Sequence, residues 1–442
     1  MNLEKIKSNK LSTILQYSIP SIIAMMLTTV ITITDGFFTG NYVGEEALAA
    51  LNLGLPIIYL FLGLGLCVGV GGSVISGQLL GSGDKKKASE VFSQTTITSF
   101  FVCVVTAIAV VFLFKPLLNV LGAQGVVATY FTQYYKILLF ELPIMVVGTV
   151  LGMFIRTDGK PQFCMLVSIV SVVLNIILDY ILVAKLSMGV RGSAIASLIV
   201  ESIAMLIQLA YFFKGAKNIC FKKFKFDKKI HRDIIFNGSS EFIGEMSSAI
   251  AMFSFNFVLM KYAGVDGVAA FTVMGYAVYF YSMIAIGFGQ GISPLISLCW
   301  GADEKRTAVE IRKLANRILF VVGIIFALSF FLLGSKYAGL FGCGESIVKM
   351  VSTGFKFYAV TFVLMGFDVI NSMYFTSCAD AKSSAFISFL RGIFLLLIFI
   401  FVLPVFWGIN GVWFASPLTE IITSIVSIIL LIKQKKKCLI GS

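Results

Sequence analysis

The chain has 442 residues, of which 58% are hydrophobic and 13% charged, with a mean hydropathy of +0.96. These proportions exclude a soluble globular protein and place the chain in a bilayer. The net charge of +13 does not point to nucleic acid, because the basic residues sit in loops between apolar runs.

Twelve apolar runs follow in order, at 12–37, 48–80, 92–114, 130–155, 162–184, 191–213, 232–260, 266–298, 312–334, 350–377, 384–405 and 410–432. Each is long enough to cross the hydrocarbon core as a helix. The N-terminal stretch MNLEKIKSNK runs straight into the first span, without a cleavable signal pattern. With this end inside, 27 basic residues fall on the inner side and 8 on the outer. That bias predicts a multi-pass cell-membrane protein with both termini cytoplasmic. Basic inner loops also suit contact with anionic membrane lipids.

The chain contains itself twice. Shifted by 220 positions, segment 42–90 lies on 262–310 without a gap, and twelve pairs are identical. Four are glycines: Gly44/Gly264, Gly69/Gly289, Gly71/Gly291 and Gly81/Gly301. The same shift carries Gly122 to Gly342, and a shift of 219 carries Gly189 to Gly408 and Glu201 to Glu420. Six spans per half start and end on one side, so the halves are parallel repeats. The predicted fold is an all-α integral membrane protein: twelve transmembrane helices in two six-helix bundles, related by a pseudo-twofold axis along the membrane normal. The predicted division is an N-lobe at 1–213, a basic cytoplasmic linker at 214–231 and a C-lobe at 232–442. The linker reads as a solvated tether at the lipid surface.

Prolines within the runs (Pro20, Pro56, Pro143, Pro294, Pro404 and Pro417) each remove a helix hydrogen bond and invite a kink. Pro20 is the candidate bending point of the first helix. The glycine-rich run 63–72 (GLGLCVGVGG) lies inside a span with no strand before it and no Lys after it, so close helix packing is expected, not phosphate binding. The eight cysteines are scattered, form no CxxC pair and read as packing residues. The only histidine, His231, falls in the basic loop. No cofactor, metal cluster or catalytic constellation is expected, and hence no enzyme.

Acids inside a membrane are expensive and mark function by default. They are Asp35, Glu141, Asp179, Glu201, Glu241, Glu245, Asp368 and Glu420. Counting helix rise at about 1.5 Å per residue puts Asp35, Asp179 and Ser197 at one level in the outer half of the first bundle. Asn175 lies one turn from Asp179. These four predict an ion-binding chamber for H⁺, or for Na⁺ at Asp35 and Asp179. A simple helix cap also accounts for Asp35. In the second bundle Glu241 and Glu245 share one helix face, and Asp368 and Asn371 form a second pair. These are candidates for a cationic substrate or a second ion. Glu201 and Glu420, equivalent in the repeat, read as packing residues, and Glu141 has no evident partner. Of the many aromatics, Phe37, Tyr276, Tyr279 and Tyr281, together with Met283, are candidates to line a cleft for planar cations.

Several segments resemble the multidrug and toxic compound extrusion (MATE) family, in its MepA-like or DinF-like prokaryotic branch. They are 34–44 (TDGFFTGNYVG), 77–88 (GQLLGSGDKKKA), 156–161 (RTDGKP), 173–179 (VLNIILD), 189–197 (GVRGSAIAS), 237–241 (NGSSE) and 408–413 (GINGVW). The resemblance implies a two-lobed monomeric antiporter that exports cationic amphipathic compounds in exchange for H⁺ or Na⁺. It implies ion-site roles for Asp35, Asn175 and Asp179, with Ser197 in place of the threonine often found there. The second half reads CADAKS at 378–383 and lacks the arginine of 156–161. Alternative readings are a lipid-linked oligosaccharide or lipid flippase of related fold and a major facilitator superfamily transporter.

Overall fold

The computed structural model describes residues 3–440, with side chains to residue 436. Cys438, read from sequence as a packing residue, lies outside the described side chains. The described residues form helices and no strand: α1 (Leu3–Ser8), α2 (Lys10–Tyr42), α3 (Glu45–Leu53), α4 (Leu55–Gly81), α5 (Lys85–Phe112), α6 (Phe114–Val120) and α7 (Gly125–Asp158). Then come α8 (Pro161–Asp179), which continues as a π-turn (Tyr180–Lys185), and α9 (Val190–Lys214). The second half holds α10 (Lys228–Gly301), α11 (Lys305–Gly339), α12 (Glu345–Ser377), α13 (Ala381–Phe389), a π-turn (Leu390–Phe394) and α14 (Leu395–Ile440).

Ten helical stretches are long and apolar enough to cross a membrane. Two contain a break. At 74 residues α10 would run about 110 Å if straight. It turns at Gly264 (φ 61°, ψ −152°), and α14 turns at Gly408 (φ 54°, ψ −137°). Only glycine adopts these angles without strain. Their repeat mates Gly44 and Gly189 also have positive φ and sit between successive crossings. These four glycines are thus turns, and the two breaks bring the crossings to twelve. One apolar core (Phe61, Phe131, Tyr135, Val190) belongs wholly to the first six crossings, and another (Met274, Phe355, Phe362, Trp413) to the last six, so there are two six-helix bundles. Large apolar side chains such as Phe100, Phe101, Val105, Ile108 and Phe112 stand exposed along one helix, a surface that only lipid covers at acceptable free energy.

The bundles meet through α2 and α4 of the first and α10 of the second. Small residues set the approach, and the contact follows the repeat. A Cβ on Gly71 would fall 2.0 Å from the Ile234 carbonyl oxygen, and one on Gly238 would fall 1.7 Å from that of Cys67. Their mates at a shift of 220 make the equivalent contact, Gly291 against Ser18. Gly77 faces Ser297, its own mate, so the pseudo-twofold axis passes between them. At the edge of this contact nearest the N-terminus Lys7 pairs with Glu304 and Lys10 with Glu310 (2.9 Å). Lys10, with Arg306, holds the Glu310 carboxyl below the usual carboxylate range.

Two expectations change, those for His231 and for the segment 215–227. Pro56 stands two residues beyond Gly54, where the crossing Glu45–Gly81 is interrupted between α3 and α4. Pro20 does lie inside α2, and Gln162 Nε2 on α8 donates to the Gln16 carbonyl that it frees (3.3 Å). His231 is helical: Asp227 accepts from Lys229 N and Ile230 N (2.8 and 3.2 Å) and starts α10 at Lys228, ahead of the predicted 232 boundary. The segment 215–227 is not a loose tether. Asp158 accepts from the N–H groups of Lys217, Asn218 and Ile219 and from Tyr211 Oη (2.6 Å), and Ile219 is buried. Ser89 and Ser93 accept from Cys220 N and Lys222 N, strapping the segment to the first bundle.

Candidate functional site

The first bundle gathers its acids near the C-terminal end of α2. Asp35 accepts from Asn175 Nδ2 (2.9 Å) and from Ser197 Oγ (3.2 Å), which joins α2, α8 and α9. Asp179, one turn beyond Asn175, is fully buried and lies close to the Asp35 carboxyl. Neither oxygen of Asp179 has a donor, nor does Oδ1 of Asn175. Two carboxylates cannot donate to each other. Their contact becomes favourable only when a proton or a cation lies between them. The α8 helix ends at Asp179 and passes into a π-turn, the kind of interruption that re-aims a side chain.

The chamber is wider than those four residues. Glu141 and Glu201 lie close enough to Asp35 to feel its charge, and the buried Tyr134 senses Asp35, Glu141 and Asp179. Tyr134 escaped the sequence reading. Its signal was position: it lies seven residues, about two helical turns, before Glu141 on one face of α7. No Lys or Arg pairs with any of these acids among the described residues. The oxygen-only donor set suits a proton or a hard monovalent cation.

The second bundle is built differently. Asp368 accepts from Ser424 Oγ (2.7 Å) and Ser427 Oγ (2.9 Å) and is fully buried. Arg391 Nε donates to both oxygens of Glu420 (2.8 and 3.0 Å), and its charge reaches Asp368. Sequence counting had put Arg391 among the inner-side charges. It lies instead within the π-turn after α13, inside a crossing, where Glu420 compensates it. Glu420 is therefore an ion-pair partner and not the packing residue expected from sequence. Asn371 does not join Asp368. It accepts from Arg312 Nη1 (3.0 Å) and Asn316 Nδ2 (3.1 Å) of α11 and is fully buried.

Glu241 and Glu245 are half-buried on the first limb of α10, where the bundles face each other. The side chain of Glu245 packs against Gly63 of α4. Tyr59 and Tyr279, repeat mates, both sense its charge. This face combines carboxylates with aromatic rings, the pairing that holds organic cations. Phe37 and Tyr276 are exposed and Met283 is half-buried, so each is accessible to a cleft or to lipid. Tyr281 is not. It is fully buried among Phe326 and Phe362 and lines no cleft.

Comparison with known proteins agrees with this architecture. The chain matches MatE over residues 20–181 and 242–402, one stretch in each half. It is 24% identical over 429 residues to "Multidrug export protein MepA" of Staphylococcus saprophyticus, covering 96% of this chain and 94% of the relative. The protein of the same name from Staphylococcus aureus is 23% identical over the same shares. Among solved structures, "Crystal structure of MATE in the bent conformation" superimposes with a TM-score of 0.91 at 24% identity, covering 99% of this chain and 98% of that one. A Pyrococcus furiosus transporter of the MOP superfamily, whose title describes a binding pocket of reverse polarity, gives 0.90 at 24% identity, covering 97% and 96%. At such identity the structural likeness speaks for the fold. The sequence match covers most of both halves, and the chain belongs to the MatE family of membrane transporters.

Proposed function

We propose that this protein is a multidrug efflux antiporter of the cell membrane, a transporter and not an enzyme. It exports cationic amphipathic compounds in exchange for H⁺ or Na⁺ by alternating access between its bundles. It works as a monomer with both termini cytoplasmic. The observation that carries the reading is the closeness of Asp35 to the buried Asp179, whose own oxygens have no donor, with no basic side chain paired to either. The coupling ion enters there from outside. Asp35 belongs to α2, so the ion's arrival alters how α2 is held against α8 and α9, and Pro20 lets the inner part of α2 follow. An ion shifts the equilibrium only by binding one form more tightly. The substrate sits between the bundles against Glu241, Glu245, Tyr59 and Tyr279. The acids there favour a cation over an anionic lipid-linked sugar, and the family match leaves no place for the major facilitator reading.

The test is efflux of ethidium from proteoliposomes under an imposed pH gradient and, separately, a Na⁺ gradient. Wild type should export under one of them, and Asp35→Asn should not. Export by Asp35→Asn at the wild-type rate would refute the site. Failure of wild type under both would refute the antiport of cations.

A further inference from the structure

A second charged site lies where the two halves meet near the pseudo-twofold axis. It is a cavity of about 20 Å³. Its wall is itself paired by the repeat: Ser73 with Ser293, Met153 with Met373, and Val70 with Gln290, each 220 positions apart. The exceptions are Pro294, whose mate Val74 lies outside the wall, and Arg156, whose mate is Thr376. Arg156 is 8% exposed, its Nε has no partner, and its guanidinium makes no ion pair or hydrogen bond with any described residue. A guanidinium carries five donors and cannot lose its charge, so a buried Nε without an acceptor is disfavoured. The amide of Gln290 faces the same space without a protein partner, and no carboxylate lines it. A water needs roughly 10–15 Å³ of such volume, so the space matches one water or one monatomic ion.

We propose that Arg156 and Gln290 bind a chloride ion between the lobes. Each lobe supplies one of the two donors, so the site exists only while the lobes are in contact here. Chloride therefore holds this closed form, and parting of the lobes releases it. The inference does not depend on what the protein transports.

The experiment is thermal unfolding of the full chain in detergent, in sodium chloride against sodium gluconate at equal ionic strength. Wild type should unfold about 3 °C higher in chloride, the gain levelling off with concentration. Arg156→Gln should unfold at the same temperature in both salts. Equal midpoints for wild type, or a chloride gain that survives in Arg156→Gln, would overturn the proposal and leave the cavity to water. If the variant does not fold, anomalous diffraction from wild-type crystals grown in bromide decides. A peak beside Arg156 supports the site. Bromide peaks elsewhere with none there refute it.

Discussion

In the first bundle four carboxyl groups, Asp35, Glu141, Asp179 and Glu201, share a region without a basic side chain. In the second, Asp368 and Glu420 share theirs with Arg391, which grips Glu420 at 2.8 Å. The residue 220 positions before Arg391 is Ser171, so the repeat kept the helices and changed the charge. A tethered guanidinium does permanently what a free cation does reversibly. Under the proposed function the lobe without one is the lobe that takes an exchangeable ion, and the two halves of one fold divide the work, the other resembling a permanently neutralised copy.

The sharpest way to break this comparison is to remove the tethered charge. Arg391→Leu leaves a buried Glu420 unpaired and should cost about 3–5 kcal/mol of stability. Arg391→Leu combined with Glu420→Leu should regain most of it, because the acid goes with its partner. Thermal unfolding in detergent reads both, and a double variant as unstable as the single one would mean that Arg391 acts through packing alone.

Next is Asn175, which donates to Asp35. Asn175→Leu removes a hydrogen bond to a charged group, worth about 1.5–3 kcal/mol. The ion concentration for half-maximal efflux should shift roughly ten- to a hundredfold, downward if the ion is H⁺, because the lost donor favoured the charged carboxylate, and upward if it is Na⁺, because the amide oxygen is lost with it. An unchanged ion dependence would place the chamber outside the transport cycle.

The seal between lobes offers a symmetric test. Gly238→Ala drives a methyl into the Cys67 carbonyl and should destabilise the closed contact by about 1–3 kcal/mol. Labelling of a cysteine introduced at Ser297 should become faster from the cytoplasmic side. Labelling at the wild-type rate would show that the seal yields without opening.

The smallest effect concerns the strap. Asp158, whose mate in the second half is Cys378, anchors segment 215–227 to the first bundle only. Asp158→Asn weakens acceptors for groups that can turn to water, costing about 1 kcal/mol. Proteolysis within 215–227 should quicken, while efflux stays near normal.

Much of this was legible in the sequence, for reasons tied to particular residues. The turns were, because Gly44, Gly189, Gly264 and Gly408 recur at a fixed shift where the backbone tolerates little else. The grouping of Asp35, Asn175 and Ser197 was, because helix rise fixes depth along a straight span. The neighbours of Asp368 were not. Asp368 and Asn371 lie three apart on α12, yet one meets α14 and the other α11, since a helix packed on two sides sends i and i+3 to different partners when both are buried. Arg391 was missed because counting charges by side assumes that they lie at helix ends. The strap was missed because a run of lysines reads as solvated, and its anchors are backbone N–H groups that carry no signature.

The most direct measurement sets one lobe against the other in a single assay. Gradient-driven ethidium efflux would be followed in proteoliposomes of Asp179→Asn and of Asp368→Asn, at matched protein incorporation. The account predicts that Asp179→Asn loses coupled efflux and that Asp368→Asn, whose carboxyl already has Ser424, Ser427 and Arg391 for company, retains most of it. Coupled efflux that survives in Asp179→Asn and vanishes in Asp368→Asn would contradict the division of labour between the lobes.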